Sequence, residues 1–220
     1  MWIYNFCIDY DLFKRLIKIK KLKLKMKNHT KNYFKGVSEI SESLDKVRLE
    51  KMVKTLLKIK KRGGRIFFLG VGGSAANASH CVNDFRKLCK IESYCPTDNV
   101  AEFSARINDD GWNKSFSSWL EVSKINKKDA IFILSVGGGN LQKKVSINLI
   151  EAIKLSKKKE TKILGIVGHE GGFTKANGDV VVSIPKSDPK LITPYTEAFQ
   201  AVIWHYLVSH PSLQEQKTKW

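Results

Sequence analysis

The chain has 220 residues, 42 % of them hydrophobic and 27 % charged, enough for one substantial globular domain and too mixed for a disordered or fibrous chain. Its formal charge of +18 raises nucleic acid or an anionic membrane as partner. However, residues 1–62 hold 18 Lys and Arg against 6 Asp and Glu, so most of the excess belongs to the N-terminal quarter and neither partner is expected of the domain itself. Cys7, Cys81, Cys89 and Cys95 form no CxxC pair, which excludes a disulfide scaffold and suits free thiols in a reducing cytoplasm.

Residues 1–36 read as a basic N-terminal extension, and residues 37–220 as the domain. The first 25 residues mix aromatics with lysines without an apolar run of signal-peptide or membrane-spanning length. Met26 follows and offers a second start, so residues 1–25 are expected to lie upstream of the native chain; a basic amphipathic surface anchor is the other reading. From Val37 to Lys61 apolar residues recur at helical spacing (Ile40, Leu44, Val47, Val53, Leu56, Leu57), until Gly63-Gly64 stops them. Then RIFFLG (65–70) is a buried strand, Ala75 to Leu88 a helix, IESYC (91–95) a short strand and Val100 to Ala105 a helix. A polar turn at Asn108-Asp109-Asp110-Gly111 precedes a helix from Trp112 to Val122. AIFILSV (130–136) is a strand, Gln142 to Lys157 a helix, KILGIVG (162–168) and DVVVSIP (179–185) strands, and Thr193 to Ser209 the last helix. Unbroken apolar strands alternating with helices predict a parallel α/β sheet covered on both faces, a three-layer α/β/α sandwich.

In such sheets ligands collect beyond the carboxyl ends of the strands. Three loops lie there: Gly70-Val71-Gly72-Gly73-Ser74, Ser135-Val136-Gly137-Gly138-Gly139-Asn140, and Gly168-His169-Glu170-Gly171-Gly172. Glycines let main-chain N–H groups converge on one anion, and a helix beginning just after adds its positive end. Glycines that merely make tight turns are the plainer account of either loop alone; two loops on one sheet favour the anion. The GxGxxG dinucleotide spacing and the GKS/T signature are both missing, so a sugar phosphate is expected.

The segments GVGGSAANASH, INDDG, LSVGGGN, GIVGHEGG and TEAFQAVIWH together resemble the sugar isomerase (SIS) domain family, and within it the phosphoheptose isomerases, from about Val37 to the C-terminus. The resemblance implies a mostly parallel, flavodoxin-like five-stranded sheet behind a helical N-terminal segment. It implies sugar-phosphate binding through Gly72, Gly73, Ser74, Ser135, Gly137 and Gly138, with Asn108 and Asp109 near the substrate. Two departures stand out. Val71 occupies the asparagine position of the family's GNGGS loop, and SVGGGN replaces STSGNS, losing hydroxyls.

His80 and Asp84 are four apart on one helix, and Glu197 and His205 eight apart on another, so each pair shares a face. Imidazoles with carboxylates suit zinc or a similar divalent metal; helix capping by His80 and a favourable N-terminal position for Glu197 are the structural alternatives. The resemblance implies that the four form one metal and acid–base site, although the family carries Glu at the Asp84 position and Gln at the Glu197 position. Asp84, Glu197 and His205 are therefore the candidate proton carriers. Phe199, Trp204 and Tyr206 read as core, His169 as loop structure or a substrate contact, and His29 and His210 as peripheral. The implied activity is aldose–ketose isomerisation of sedoheptulose 7-phosphate to D-glycero-D-manno-heptose 7-phosphate through an enediol, supplying heptose for lipopolysaccharide or capsule. The implied assembly is a homotetramer. A noncatalytic sugar-phosphate-binding or regulatory module on the same fold is the rival.

Overall fold

A computed structural model describes residues 10–219, in which two compact units meet between Glu42 and Ser43. The first is formed by helix α1 (Tyr10–Ser43), which runs through Met26 without a break. Cys7 lies outside the described residues.

The second unit opens with α2 (Lys46–Lys61). The single helix expected over 37–61 is therefore two, and Asp45 is the reason. Its carboxylate accepts from the Arg48 N–H at 2.9 Å, which fixes a new helix start and holds the Asp45 carboxyl below its usual range. Leu49, Met52, Val53, Leu56 and Ile59 form the buried stripe of α2. It ends where Gly63, at φ 65°, turns the chain.

The remaining elements follow the expected alternation: β1 (Ile66–Leu69), α3 (Gly73–Cys89), β2 (Ser93–Tyr94), α4 (Val100–Asp110), α5 (Ser115–Val122) and β3 (Ala130–Ser135). Then come α6 (Ile147–Lys158), β4 (Lys162–Val167), α7 (Gly172–Asn177), β5 (Val180–Ser183) and α8 (Ile192–Ser209). Three expectations shift. Asn108, Asp109 and Asp110 complete α4 instead of forming a turn, and only Gly111, at φ 80°, breaks the helix. The helix expected from Gln142 starts at Ile147, because Asn140 and Val145 exchange main-chain hydrogen bonds and Ser146 is left-handed at φ 52°. The short α7 has no counterpart in the sequence reading.

All five strands are parallel, in the order β2-β1-β3-β4-β5. Successive residues point to opposite faces. Phe67, Leu69, Ile131 and Ile133 meet Phe116 and Leu120 of α5 and Leu149 and Ile153 of α6 in one buried cluster. On the other face Phe68 stacks near Phe85 of α3 and Phe132 of β3, with ring centroids 5.1 and 5.2 Å away. Cys81, Cys89 and Cys95 are buried free thiols, and burial pushes Cys89 up to about 11. Among the described residues no helix is long and apolar enough to cross a membrane.

This order puts the topological switch between β1 and β3, whose carboxyl ends carry the first two glycine loops. Helices leaving two adjacent strands toward opposite faces open a crevice there. The backbone thus brings both loops to one place before any side chain is considered.

Candidate active site at the sheet switch point

The two loops use glycine for different ends. In the first, Gly72 stands at φ 63°, ψ −130°, backbone closed to L side chains, with no atom within 4 Å of where a Cβ would be. It caps α3, whose first turn is held by the amides of Ala75 and Ala76 on the Gly72 carbonyl. At Gly73 a Cβ would meet the Glu197 carboxylate, 2.6 Å from Oε2, so α8 lays an acidic group directly on the start of α3. In the second loop Gly137 faces open space, whereas Gly138, at φ 68°, abuts the Gly171 carbonyl so closely that a Cβ would overlap it. Gly138 also offers its carbonyl to Thr174 Oγ1 at 2.7 Å, and Gly139 lies against Ile150. The plainer account of the glycines thus holds for Gly138 and Gly139. Gly72 and Gly137 are the open ones.

Both loop serines are set up as donors. Ser135 Oγ accepts from the Gly138 N–H at 3.0 Å, and Ser74 Oγ accepts from Gln200 Nε2 at 3.1 Å. A hydroxyl whose lone pair is engaged in this way keeps its proton for another partner. Ser74 and Gln200 are 2 % and 0 % exposed, so the bond between them is shielded from water. Asn77 Nδ2 donates to Gln200 Oε1 at 2.8 Å and to the Glu197 carbonyl at 3.0 Å, tying α3 to α8. Asn77 and Gln200 escaped the sequence reading; the signal available was a polar residue on each helix at an otherwise apolar contact.

One helix turn beyond this network, His80, Asp84 and His205 each present one ligand atom, all within 4.8 Å of one another. His80 Nε2 and His205 Nε2 both lie 3.5 Å from Asp84 Oδ2. The chemistry of the set fits a cation. His205 Nδ1 is 2.9 Å from the Ala201 carbonyl, which can only accept, so this nitrogen carries a proton and Nε2 is the ring atom left to face Asp84. Trp204, expected as core and indeed 2 % exposed, also donates its indole N–H to Asp84 Oδ2 at 3.2 Å. Asn83 donates to Asp84 Oδ1 at 2.9 Å, so the carboxylate is oriented from both sides.

Glu197 stands apart from this trio. Its carboxylate faces Gly73 and the α3 start, and no described side chain is seen donating to it. Asn108 and Asp109 sit exposed at the end of α4, bonded to each other at 2.8 Å, outside the trio. His169 lines a cavity of about 410 Å³ with Gly137, Glu170, Lys186 and Thr196, at the carboxyl ends of β3, β4 and β5. His29 is exposed on α1, and His210 Nε2 lies 3.7 Å from Glu50 Oε1 beside α2.

A parallel sheet ordered 2-1-3-4-5, with a glycine-started helix at its switch point, makes this a flavodoxin-like α/β protein, the architecture on which SIS domains are built. The SIS domain family model matches residues 32–168, and the chain belongs to that family. Among characterised relatives it is 31 % identical over 159 residues to the lincomycin biosynthesis protein LmbN of Streptomyces lincolnensis, covering 67 % of this chain and 56 % of that protein. It is 28 % identical over 159 residues to the phosphoheptose isomerase of Buchnera aphidicola, covering 70 % of this chain and 75 % of the relative. The solved phosphoheptose isomerase of Neisseria gonorrhoeae superposes with a TM-score of 0.72 at 21 % identity, over 85 % of this chain and 97 % of that one.

Proposed function

We propose that the protein is a sugar-phosphate aldose–ketose isomerase that converts sedoheptulose 7-phosphate to D-glycero-D-manno-heptose 7-phosphate. The observation that carries this reading is the joining of an anion seat and a proton-moving group at one switch point. Ser74 and Ser135 accept hydrogen bonds on adjacent loops and keep their hydroxyl protons to give, Glu197 lies against Gly73, and His80, Asp84 and His205 cluster further along α3 and α8. The similarity to two phosphoheptose isomerases supports the choice of sugar.

The Glu197 carboxylate would repel a phosphate placed at Gly73. We therefore assign the phosphate to the second loop, at Ser135 and the open Gly137, and the reacting carbons to the first. Held there, the chain of the sugar extends toward Ser74, and binding energy gained at the phosphate positions the carbonyl end. Glu197, without a competing donor, takes the proton from the hydroxymethyl carbon beside the ketone and returns it to the former carbonyl carbon. The hydroxyl proton passes directly between the two neighbouring oxygens of the enediol, while His205, its Nδ1–H held by the Ala201 carbonyl, would serve through Nε2 as a donor to the cation. No atom is gained or lost, and positioned groups of this kind contribute about 10²- to 10⁴-fold each.

His80, Asp84 and His205 would hold a divalent metal, zinc suiting the two imidazoles and one carboxylate. When bound, such an ion polarises a carbonyl oxygen and stabilises negative charge developing on it. Three protein donors leave a position open, as in catalytic zinc sites. Trp204 and Asn83 orient the Asp84 carboxylate for that role.

Incubating the purified full chain with sedoheptulose 7-phosphate and zinc, and following formation of the aldose, tests the reading. Turnover that is lost in His205→Ala supports it. Tight binding of the sugar phosphate without turnover, unchanged by His205→Ala, would replace it with a noncatalytic binding role.

A further inference from the structure

The bonds from Glu197 through Asn77 and Gln200 to Ser74 have one direction, and the main chain sets it. The Glu197 carbonyl can only accept, so the Asn77 side-chain atom 3.0 Å from it is the amide nitrogen. That nitrogen also faces Gln200, which must answer with Oε1 at 2.8 Å. Gln200 then has its NH₂ on the opposite side, 3.1 Å from Ser74 Oγ. Ser74 receives a donor and is left with its own proton to give. Reversing any one amide would place two donors or two acceptors face to face inside a buried contact, leaving buried polar groups unpaired.

We propose that Asn77 and Gln200 are positioning residues that fix the Ser74 hydroxyl as a donor to the bound sugar phosphate. Neither side chain needs to touch the ligand. Gln200 is fully buried and Asn77 half-buried, and together they transmit the polarity of a helix carbonyl to the crevice. A serine without them would be free to turn its proton inward, onto whichever acceptor α8 offered. The inference rests on the sugar-phosphate reading above, because it assigns Ser74 to that ligand.

Two substitutions reverse the relay without emptying it. Gln200→Glu puts an acceptor opposite Ser74, so the hydroxyl donates to the new carboxylate and is lost to the ligand. Asn77→Asp, at the half-buried end, leaves Gln200 Oε1 without its donor; the amide turns over and presents Oε1 to Ser74 instead. Titration calorimetry of sedoheptulose 7-phosphate into the full chain is expected to show up to about tenfold weaker binding for each, the upper end for one hydrogen bond to a neutral sugar oxygen. Ser74→Ala should weaken binding equally, and Ser74→Ala combined with Gln200→Glu no further. Zinc affinity, read in the same preparations, should not move, which a general loosening of the α3–α8 contact would not spare.

Wild-type binding with unchanged affinity in both reversed variants would overturn the relay alone. Multiplying effects in the double variant would do the same. If the wild type itself binds no sugar phosphate, the assignment of the ligand fails first and takes the relay with it. Should Gln200→Glu not fold, Asn77→Asp and Ser74→Ala carry the comparison.

Discussion

The loops after β1 and β3 look alike as strings of glycine and serine, yet they are built to opposite plans. The first is open at Gly72 and acidic at Gly73, where α8 delivers Glu197. The second is sealed: Gly138 against Gly171, Gly139 against Ile150, with Gly137 alone facing space. A glycine run therefore records that the backbone needs room, and says nothing of whether a ligand or another piece of backbone takes it. Electrostatics separates the two loops further, since Glu197 lays its carboxylate on the first; on the proposed reading the phosphate then goes to the second.

The largest effect expected from this contrast is on folding. Gly138→Ala meets both a positive φ and the Gly171 carbonyl, and should destabilise by on the order of 3 kcal/mol, seen as a lower urea midpoint. Gly137→Ala should leave the midpoint within about 0.5 kcal/mol of wild type. Equal midpoints for the two variants would break the distinction. Next comes chemistry: Glu197→Gln should lower turnover of sedoheptulose 7-phosphate by about 10²- to 10⁴-fold while sparing its affinity. A gain in affinity with turnover little changed would move the phosphate back to the first loop.

Smaller changes sharpen the assignment. Ser135→Ala should weaken inorganic phosphate binding by about tenfold, with Ser74→Ala affecting the whole sugar phosphate more than phosphate alone. The smallest effect lies outside both loops and serves as their reference. Burial, followed by the hydrogen bond to Glu50, pushes the Tyr206 phenol up to about 12. The folded protein therefore holds this proton where the unfolded chain, with an ordinary phenol near 10, releases it. Its contribution is complete below pH 10 and is lost as pH rises toward 12. The stability difference between wild type and Tyr206→Phe should narrow over that interval, in urea melts at pH 9 and pH 12, with sugar-phosphate affinity at pH 8 equal in the two.

Much of the site could be read before the fold was known. His80 and Asp84, a helical turn apart, do share a face, and His205 does approach them from α8, to 3.5 Å from Asp84. Spacing along one helix is local, so periodicity captured it. The distance from Glu197 to that trio was not local. On α8 it precedes His205 by eight residues, more than 10 Å along the axis by helical rise, so it reaches the α3 start while His205 reaches Asp84. Trp204 was legible as core and not as a donor to Asp84, because burial and hydrogen bonding are separate facts about one indole. Asn77 and Gln200 were passed over for a similar reason. A single polar residue on an apolar helix face acquires meaning only when its partner on another helix is known.

Hydrophobic run length and turn residues alone determined the alternation of strands and helices, the parallel sheet, the glycine loops at its carboxyl edge and the pairing of His80 with Asp84. Those features depend on neighbours within a few residues, where chain geometry leaves few choices. The tertiary structure decided the sealing of Gly138, the seat of Glu197 at Gly73 and the polarity of the bonds reaching Ser74. Each of these depends on which of many distant groups arrives at a given point, and the packing of α8 onto α3 and of the loop after β4 onto the loop after β3 makes that choice.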